Sequence, residues 1–228
     1  DPVDTVDHGE PSASAPAPQD LGTLLASAGG PDADASAVGA LLESWTLDAS
    51  PPLPSLAELE PGLREWGLRV ARIDGAGLAA IGVLNHPAAR RLEAPDGGTR
   101  WAVLRRLENE QATLVGLGET EAIQVSVREL EARFTGQALV PWRDFVRTPP
   151  VRRDGHAGRS VLWLQQRLAE LGFYGDTPSG RYDGPTRSAV RAFQSSRGLA
   201  PDGEVGPRTK MVLYDALGAY AFPRLREA

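Results

Sequence analysis

The sequence predicts an α+β domain over residues 21–147 followed by a small three-helix domain over residues 151–218. Three observations carry this. Helical apolar stripes come first in the longer segment and strand-like segments follow them. A turn-plus-helix pattern is then written twice, 23 residues apart. An acidic, Pro/Ala/Ser-rich opening precedes both and holds too little apolar area to order itself, so residues 1–20 read as a disordered linker.

In the longer segment Ala37, Leu41, Leu42 and Trp45 fall at helical spacing, and Leu56, Leu59, Leu63 and Trp66 form a second stripe with Ser55 as its N-cap. Strand signals then take over. Leu68 to Ile73 alternates in part, Ala79 to Leu84 is a short apolar run, and Pro87 to Leu92 and Trp101 to Leu104 flank the turn Pro95-Asp-Gly-Gly98. Gln111 to Val115 and Ala122 to Val127 add two strands, and Val127 to Phe134 reads as a short helix. Helices followed by an antiparallel sheet define an α+β arrangement. Thr148-Pro-Pro150 is a short, stiff link to the repeat-bearing segment.

The repeat begins after a first helix, Ser160 to Leu171, whose Val161, Leu164, Leu168 and Leu171 share one face and whose end is marked by Gly172. One copy reads Gly180-Arg-Tyr-Asp-Gly-Pro-Thr186 and the other Gly203-Glu-Val-Gly-Pro-Arg-Thr209. Asp183 is placed to cap the second helix, and Pro185 and Pro207 fall in first turns, where a missing N–H costs nothing. Apolar stripes follow through Ala189, Val190 and Phe193 and through Val212, Leu213, Ala216 and Leu217, stopping at Gly198 and Gly218. Residues 219–228 read as a C-terminal tail.

Charge and composition narrow the function. Of the 30 acidic side chains, 11 fall in residues 1–63, which hold no Lys or Arg; the remainder carries 24 basic against 19 acidic groups, a net +5. No basic cluster interleaved with aromatics points to nucleic acid. The chain has no cysteine, which removes both disulfides and a thiol nucleophile. No apolar run approaches the roughly 18 residues of a membrane helix, and the Asp1-Pro-Val-Asp start lacks the basic and apolar regions of a signal peptide, so the chain reads as a soluble, extracytoplasmic fragment.

The string Val161 to Phe173, with Gly180-Arg-Tyr-Asp183, Ala189 to Gln194, Gly198-Leu199, Asp202-Gly203, Val205-Gly206 and Thr209, resembles the small peptidoglycan-binding domain of bacterial wall proteins. Gly67-Leu-Arg-Val70, Gly97 to Leu104, Ala112 to Val115 and Phe134 to Leu139 followed by Trp142 resemble a papain-like domain of the C39, double-glycine leader peptidase type. In tandem, and with Tyr214 to Gly218 and Pro223 to Leu225, they are similar to the periplasmic region of ExeA/GspA-type proteins of type II secretion. In that family an ATPase domain and one membrane helix precede this region. The resemblance implies a periplasmic location, binding to peptidoglycan, self-association, a membrane partner of the ExeB/GspB type, and a part in assembling the secretin.

The same resemblance marks what is missing. Peptidases of the C39 type place a cysteine near the start of the first long helix and a histidine before the strand that here starts at Trp101. This chain offers Ser36 and Arg100 at those places, and Gly116 where an aspartate is expected. An arginine, with a pKa above roughly 12, accepts no proton at neutral pH, so Ser36 has no base and the domain is expected to be a degenerate, non-catalytic peptidase fold. His8, His86 and His156 show no metal-ligand spacing, and neither a metal nor another cofactor is expected.

Wall binding is expected where the two repeated turns meet, through Tyr182, Asp183, Phe193 and Gln194 of one copy and Asp202, Gly203, Gly206 and Thr209 of the other. Glycines allow close approach, polar groups hold amides and carboxylates, and an aromatic edge packs on a sugar. Each residue also has a structural reading: Phe193 as core, Asp183 and Thr209 as turn and cap residues, the glycines as left-handed backbone. Two other functions stay open. One is a wall hydrolase targeted by the repeat module, with paired carboxylates such as Glu108/Glu110 or Glu119/Glu121. The other is a protein-interaction platform in which the old peptidase cleft grips a peptide.

Overall fold

The computed structural model describes residues 20–29, 32–49, 53–118, 122–147 and 155–226. Residues 1–19 of the linker expected over 1–20, the Thr148-Pro-Pro150 link and the Glu119/Glu121 pair lie outside these residues. The chain opens with α1 (Leu21–Ser27), α2 (Ala33–Ser44) and α3 (Leu59–Arg64), then β1 (Leu68–Ile73), α4 (Leu78–Gly82), β2 (Ala88–Glu93), β3 (Thr99–Glu108), β4 (Gln111–Val115), β5 (Ile123–Ser126), α5 (Val127–Arg133) and β6 (Phe134–Arg143). Three helices follow: α6 (Arg159–Glu170), α7 (Gly184–Ser196) and α8 (Pro207–Leu217). The first part is therefore α+β, with one six-stranded open antiparallel sheet in the order β1-β6-β2-β3-β4-β5, and the second is a small helical bundle.

Several elements differ from the sequence expectation, each for a local reason. Ala79 to Leu84 belongs to α4 and the turn after it, because Leu78, Ile81 and Leu84, three apart, put one face on the sheet, and all three are buried. The second stripe becomes a helix only at Leu59. Ser55 closes the preceding turn by accepting from Glu58 N at 3.2 Å, and Trp66 lies beyond the helix on the surface. Asp20 belongs to the folded domain: its carboxylate accepts from Thr23 N at 2.8 Å and caps the unforeseen α1, whose Leu21 N donates to Glu129 Oε1 at 2.9 Å. The other unforeseen element, β6, pairs with β1 on one side and β2 on the other, and its buried Ala138 to Trp142 run lies inside the sheet.

Helices cover both sheet faces. On one, α2 and α3, with Ile81 of α4, join Val70, Ala89, Val103, Leu139 and Trp142; on the other, α1 and α5, with Leu78 of α4, cover Leu92, Leu104, Leu114 and Val125. Alternation along β2 places Arg90 on the same side as Leu92. Its side chain is fully buried, no atom of its guanidinium has a hydrogen-bond partner among the described residues, and its Cζ lies 5.7 Å from the Phe134 ring centroid. Burial lowers its pKa to about 9.

The two parts share a core rather than being joined by a tether. Val161, Leu168, Phe193, Leu213 and Tyr214 of the helical bundle belong to the same buried cluster as Val38, Leu63 and Trp142. At the junction Asp144, just past β6, accepts from Lys210 Nζ and from Tyr214 Oη, both at 2.9 Å, and Phe145 meets Tyr214 edge to face at 5.2 Å. Burial and the Asp144 carboxylate push the Tyr214 phenol above its ordinary pKa. The segment expected as a tail packs back on the α+β domain. Phe222 stacks on His86 at 4.4 Å, Leu225 is buried against the outer sheet face, and its carbonyl accepts from Leu107 N at 2.9 Å.

Candidate functional site

The repeated turns of the helical bundle are built on two equivalent glutamines. From α6, Gln165 Oε1 accepts from Gly180 N at 2.8 Å, and its Nε2 donates to Arg181 O at 3.0 Å and to Thr186 Oγ1 at 2.8 Å. From α7, Gln194 Oε1 accepts from Gly203 N at 2.9 Å, and its Nε2 donates to Glu204 O at 2.9 Å and to Thr209 Oγ1 at 3.1 Å. Each amide thus bridges the glycine that opens a turn and the threonine that starts the next helix. Both glutamines are buried, where an unmet amide is costly, so the clasps fix the turns. The Tyr182 hydroxyl donates to the Gly203 carbonyl and fastens one turn to the other.

This construction sorts the eight residues expected to bind. All lie on or beside the two turns, but Tyr182, Phe193, Gln194, Gly203 and Thr209 are buried. Phe193 packs against Phe173 at 5.5 Å, ring edge to face. Asp183 caps α7 by accepting from Thr186 N at 3.0 Å, and the Thr186 hydroxyl and amide hold its carboxyl below the ordinary range. Asp202 is exposed, with its Oδ1 accepting from Gln194 Nε2 and Glu204 N, both at 2.7 Å. Gly203 needs its left-handed φ of 78°, and a Cβ there would sit 2.8 Å from Arg187 Cγ. Gly206 has no such need: its φ is −90° and a Cβ would meet nothing within 4 Å. It also caps α8 without a side chain, so open space lies over the first-turn N–H groups of that helix.

Sequence reading passed over Gln165. The signal was present, since each copy's glycine and threonine need the same buried partner, and Leu164-Gln165 and Phe193-Gln194 are matching apolar–Gln pairs on the preceding helices.

In the α+β domain, Ser36 sits in the first turn of α2 with its Oγ donating to Asp32 O at 3.2 Å. It lines a concavity of about 700 Å³ with Gly39, Glu43, Arg105 and Gly116. Gly116, at φ 79°, lies so close to α2 that a Cβ would be 2.9 Å from Ala37 Cα. Arg100 is tied into the β2–β3 turn by Asp96 at 2.6 Å. His86 is buried at the domain junction with its pKa lowered to about 4 by desolvation, and His156 is exposed beside the first repeated turn, where its carbonyl accepts from Tyr182 N at 2.7 Å. Neither imidazole lines the Ser36 concavity. Among the described residues no group of three or more His, Cys, Asp and Glu is placed to hold a metal ion, and no helix is long and apolar enough to cross a membrane.

Residues 157–213 match the family model described as a putative peptidoglycan binding domain. General secretion pathway protein A of Aeromonas hydrophila is 28% identical over 161 residues, which is 71% of this chain and 29% of that protein. The chain therefore spans under a third of that relative's length. Two solved structures are similar: a periplasmic domain of the EpsAB fusion protein of the Vibrio vulnificus type II secretion system (18% identity, 64% of each chain, TM-score 0.39) and the N-terminal peptidase C39 like domain of a toxin secretion ATP-binding protein from Vibrio parahaemolyticus (19% identity, 57% of this chain and 100% of that one, TM-score 0.30).

Proposed function

We propose that this chain is a non-catalytic periplasmic body that binds peptidoglycan through its helical bundle and serves a type II secretion assembly of the ExeA/GspA type. The reading rests on one agreement: the peptidoglycan-binding match over 157–213 coincides with the pair of clasped turns. In this reading Gln165, Gln194, Tyr182, Phe193, Gly203 and Thr209 hold the frame, and Asp183, Asp202 and Gly206 present the surface. At Gly206 a wall amide or carboxylate approaches the backbone of α8 without meeting a side chain. The cysteine-free chain does no thiol chemistry, and the α+β domain is a degenerate C39-type fold. Self-association multiplies weak single contacts into firm attachment, and the secretin and an ExeB/GspB-type membrane protein are the partners.

Co-sedimentation of the full chain with purified sacculi tests this. A truncation after the α+β domain would strip the shared core, so the informative variant is Gly206→Gln, which fills the open space and leaves the packing alone. Binding about tenfold weaker, a change of roughly 1.4 kcal/mol, is expected with an unchanged melting temperature. Equal binding by both proteins refutes the Gly206 surface, and release of soluble wall fragments, followed by mass spectrometry, refutes the non-catalytic assignment.

The concavity of about 700 Å³ at Ser36 favours a second reading, in which the former substrate cleft holds a partner peptide. Gly39→Trp would block it without touching the helical bundle, and undiminished recovery of secretion partners by that variant would end the idea.

A further inference from the structure

The one large apolar side chain exposed among the described residues stands beside a group of arginines. Trp66 is 38% exposed, and its carbonyl accepts from Arg143 Nη2 at 3.3 Å. Next to it a concavity of about 590 Å³ opens over the Gly67–Leu68 backbone and is lined by Arg64, Arg69 and Arg147, with Glu60 and Asp144 as its acidic members. Both acids are already engaged. Asp144 accepts from Lys210 Nζ, Tyr214 Oη and Arg147 N, and Glu60 pairs with Arg64 at 3.4 Å. The side chains of Arg69 and Arg147 have no ion-pair or hydrogen-bond partner among the described residues.

Cations gathered around one concavity repel each other unless an anion joins them, and the low-dielectric walls strengthen their field on such a ligand. Arg147 is held there at cost. Its φ of 50° lies in the left-handed region that side chains disfavour, and its N–H is fixed by Asp144 O and Oδ1, both at 3.2 Å. The site is thus built on the same aspartate that locks the helical bundle to the sheet. β1 is an edge strand paired only with β6, so its other side leaves backbone groups for a ligand's amides.

We infer that this concavity is a second contact for the wall polymer, a subsite for a carboxylate-bearing glycan–peptide strand on the α+β domain; the inference rests on the wall-binding reading above. Arginine forks take carboxylates in bidentate fashion, and the Trp66 ring offers a sugar face a place to stack. An anionic bilayer suits the patch less well, because peripheral insertion needs several apolar groups projecting from the surface, whereas Trp66 is the one exposed large apolar side chain among the described residues and the arginines line a hollow. With the bundle fixed to the sheet, one strand engages both sites and gains the avidity of linked contacts.

The test uses the full chain, sacculi, soluble disaccharide–tetrapeptide fragments, and vesicles of phosphatidylethanolamine and phosphatidylglycerol. The double substitution R69Q/R147Q changes two exposed side chains, so its melting temperature should match the parent. We expect it to weaken binding to sacculi and fragments about 3- to 10-fold and to flatten the salt dependence, as the loss of two exposed ion pairs requires. Trp66→Ala should weaken binding and leave the salt dependence intact. Parent-like affinity and salt dependence in R69Q/R147Q overturns the inference while leaving the wall reading standing. Loss of vesicle binding with sacculus binding unchanged overturns it in favour of a membrane surface. A parent chain that does not sediment with sacculi at all sinks the wall reading and this subsite with it.

Discussion

Replacing Asp144 by asparagine tests whether the two parts form one body. The carboxylate is 6% exposed and its partner, the Lys210 ammonium, 4%. The asparagine would keep the volume and the hydrogen-bonding oxygen but put a neutral amide in place of the carboxylate beside the buried Lys210 ammonium. Breaking a buried pair from one side costs about 3–5 kcal/mol, because desolvation is no longer offset by attraction. For a chain of this size each kcal/mol shifts the melting temperature by about 2–4 °C, so a fall of about 6–20 °C is expected by calorimetry. The double substitution D144N/K210M removes the ammonium as well, and a double-mutant cycle reads the coupling between the two sites. Lys210 belongs to α8 and Asp144 follows β6, so the single variant should also split one transition into two as the bundle separates from the sheet. A D144N protein melting within about 2–4 °C of the parent, the shift that 1 kcal/mol would produce, refutes the argument.

Three further outcomes follow from single sites. His86, with a pKa lowered from 6.5 to about 4 by desolvation, is protonated more readily in the unfolded chain, so stability falls as pH drops from about 6.5 to about 4. The full effect is about 3 kcal/mol, and denaturant titrations across that range should show a shallower slope for His86→Gln. Arg90→Met replaces a buried cation that has no hydrogen-bond partner among the described residues by an apolar chain of similar length and should leave stability unchanged or raise it by about 1–4 kcal/mol, whereas a loss beyond about 1 kcal/mol in urea unfolding would show that the guanidinium is satisfied in solution. Gly203→Ala should cost about 1–2 kcal/mol or more, for its left-handed backbone and its collision with Arg187, while Gly206→Ala should cost little; equal melting temperatures for the two variants would contradict the assigned turn geometry.

The sequence was most legible where local chemistry decides structure. Asp183, Pro185, Pro207, Gly172 and Gly218 set the helix ends of the bundle, and the structure places each as its residue type requires. The Asp-Gly turn between β2 and β3 was equally plain. Legibility failed where a partner far along the chain decides. α1 is seven residues long and stands because Glu129 and the sheet receive it. Phe134 to Arg143 carries a glycine and a proline that weaken its strand signal, and burial between β1 and β2 overrides them. The shared core was invisible for the same reason. Neither Asp144 nor Lys210 shows in sequence that the other awaits it, and an apolar Phe222 in a short tail does not disclose a buried histidine to stack on.

The duplication also separates frame from function inside the bundle. Positions alike in both copies, the glutamine, the opening glycine and the threonine, are those whose hydrogen bonds and backbone angles build the turn. A residue needed twice for the same geometry carries no information about a single ligand. Information lies where the copies differ. Tyr182 stands where the second copy has Val205, and it is spent on joining the turns. Asp183 stands where the second copy has Gly206, and there the difference is solvent-facing: one helix start is closed by a carboxylate and the other is left open. Exchanging these two, Asp183→Gly with Gly206→Asp, preserves composition, net charge and one side-chain cap. If the frame alone bound the wall, the exchanged protein would sediment with sacculi like the parent. If the open cap is the contact, binding should fall about tenfold, as for Gly206→Gln, and the bundle should still melt with the α+β domain as one body.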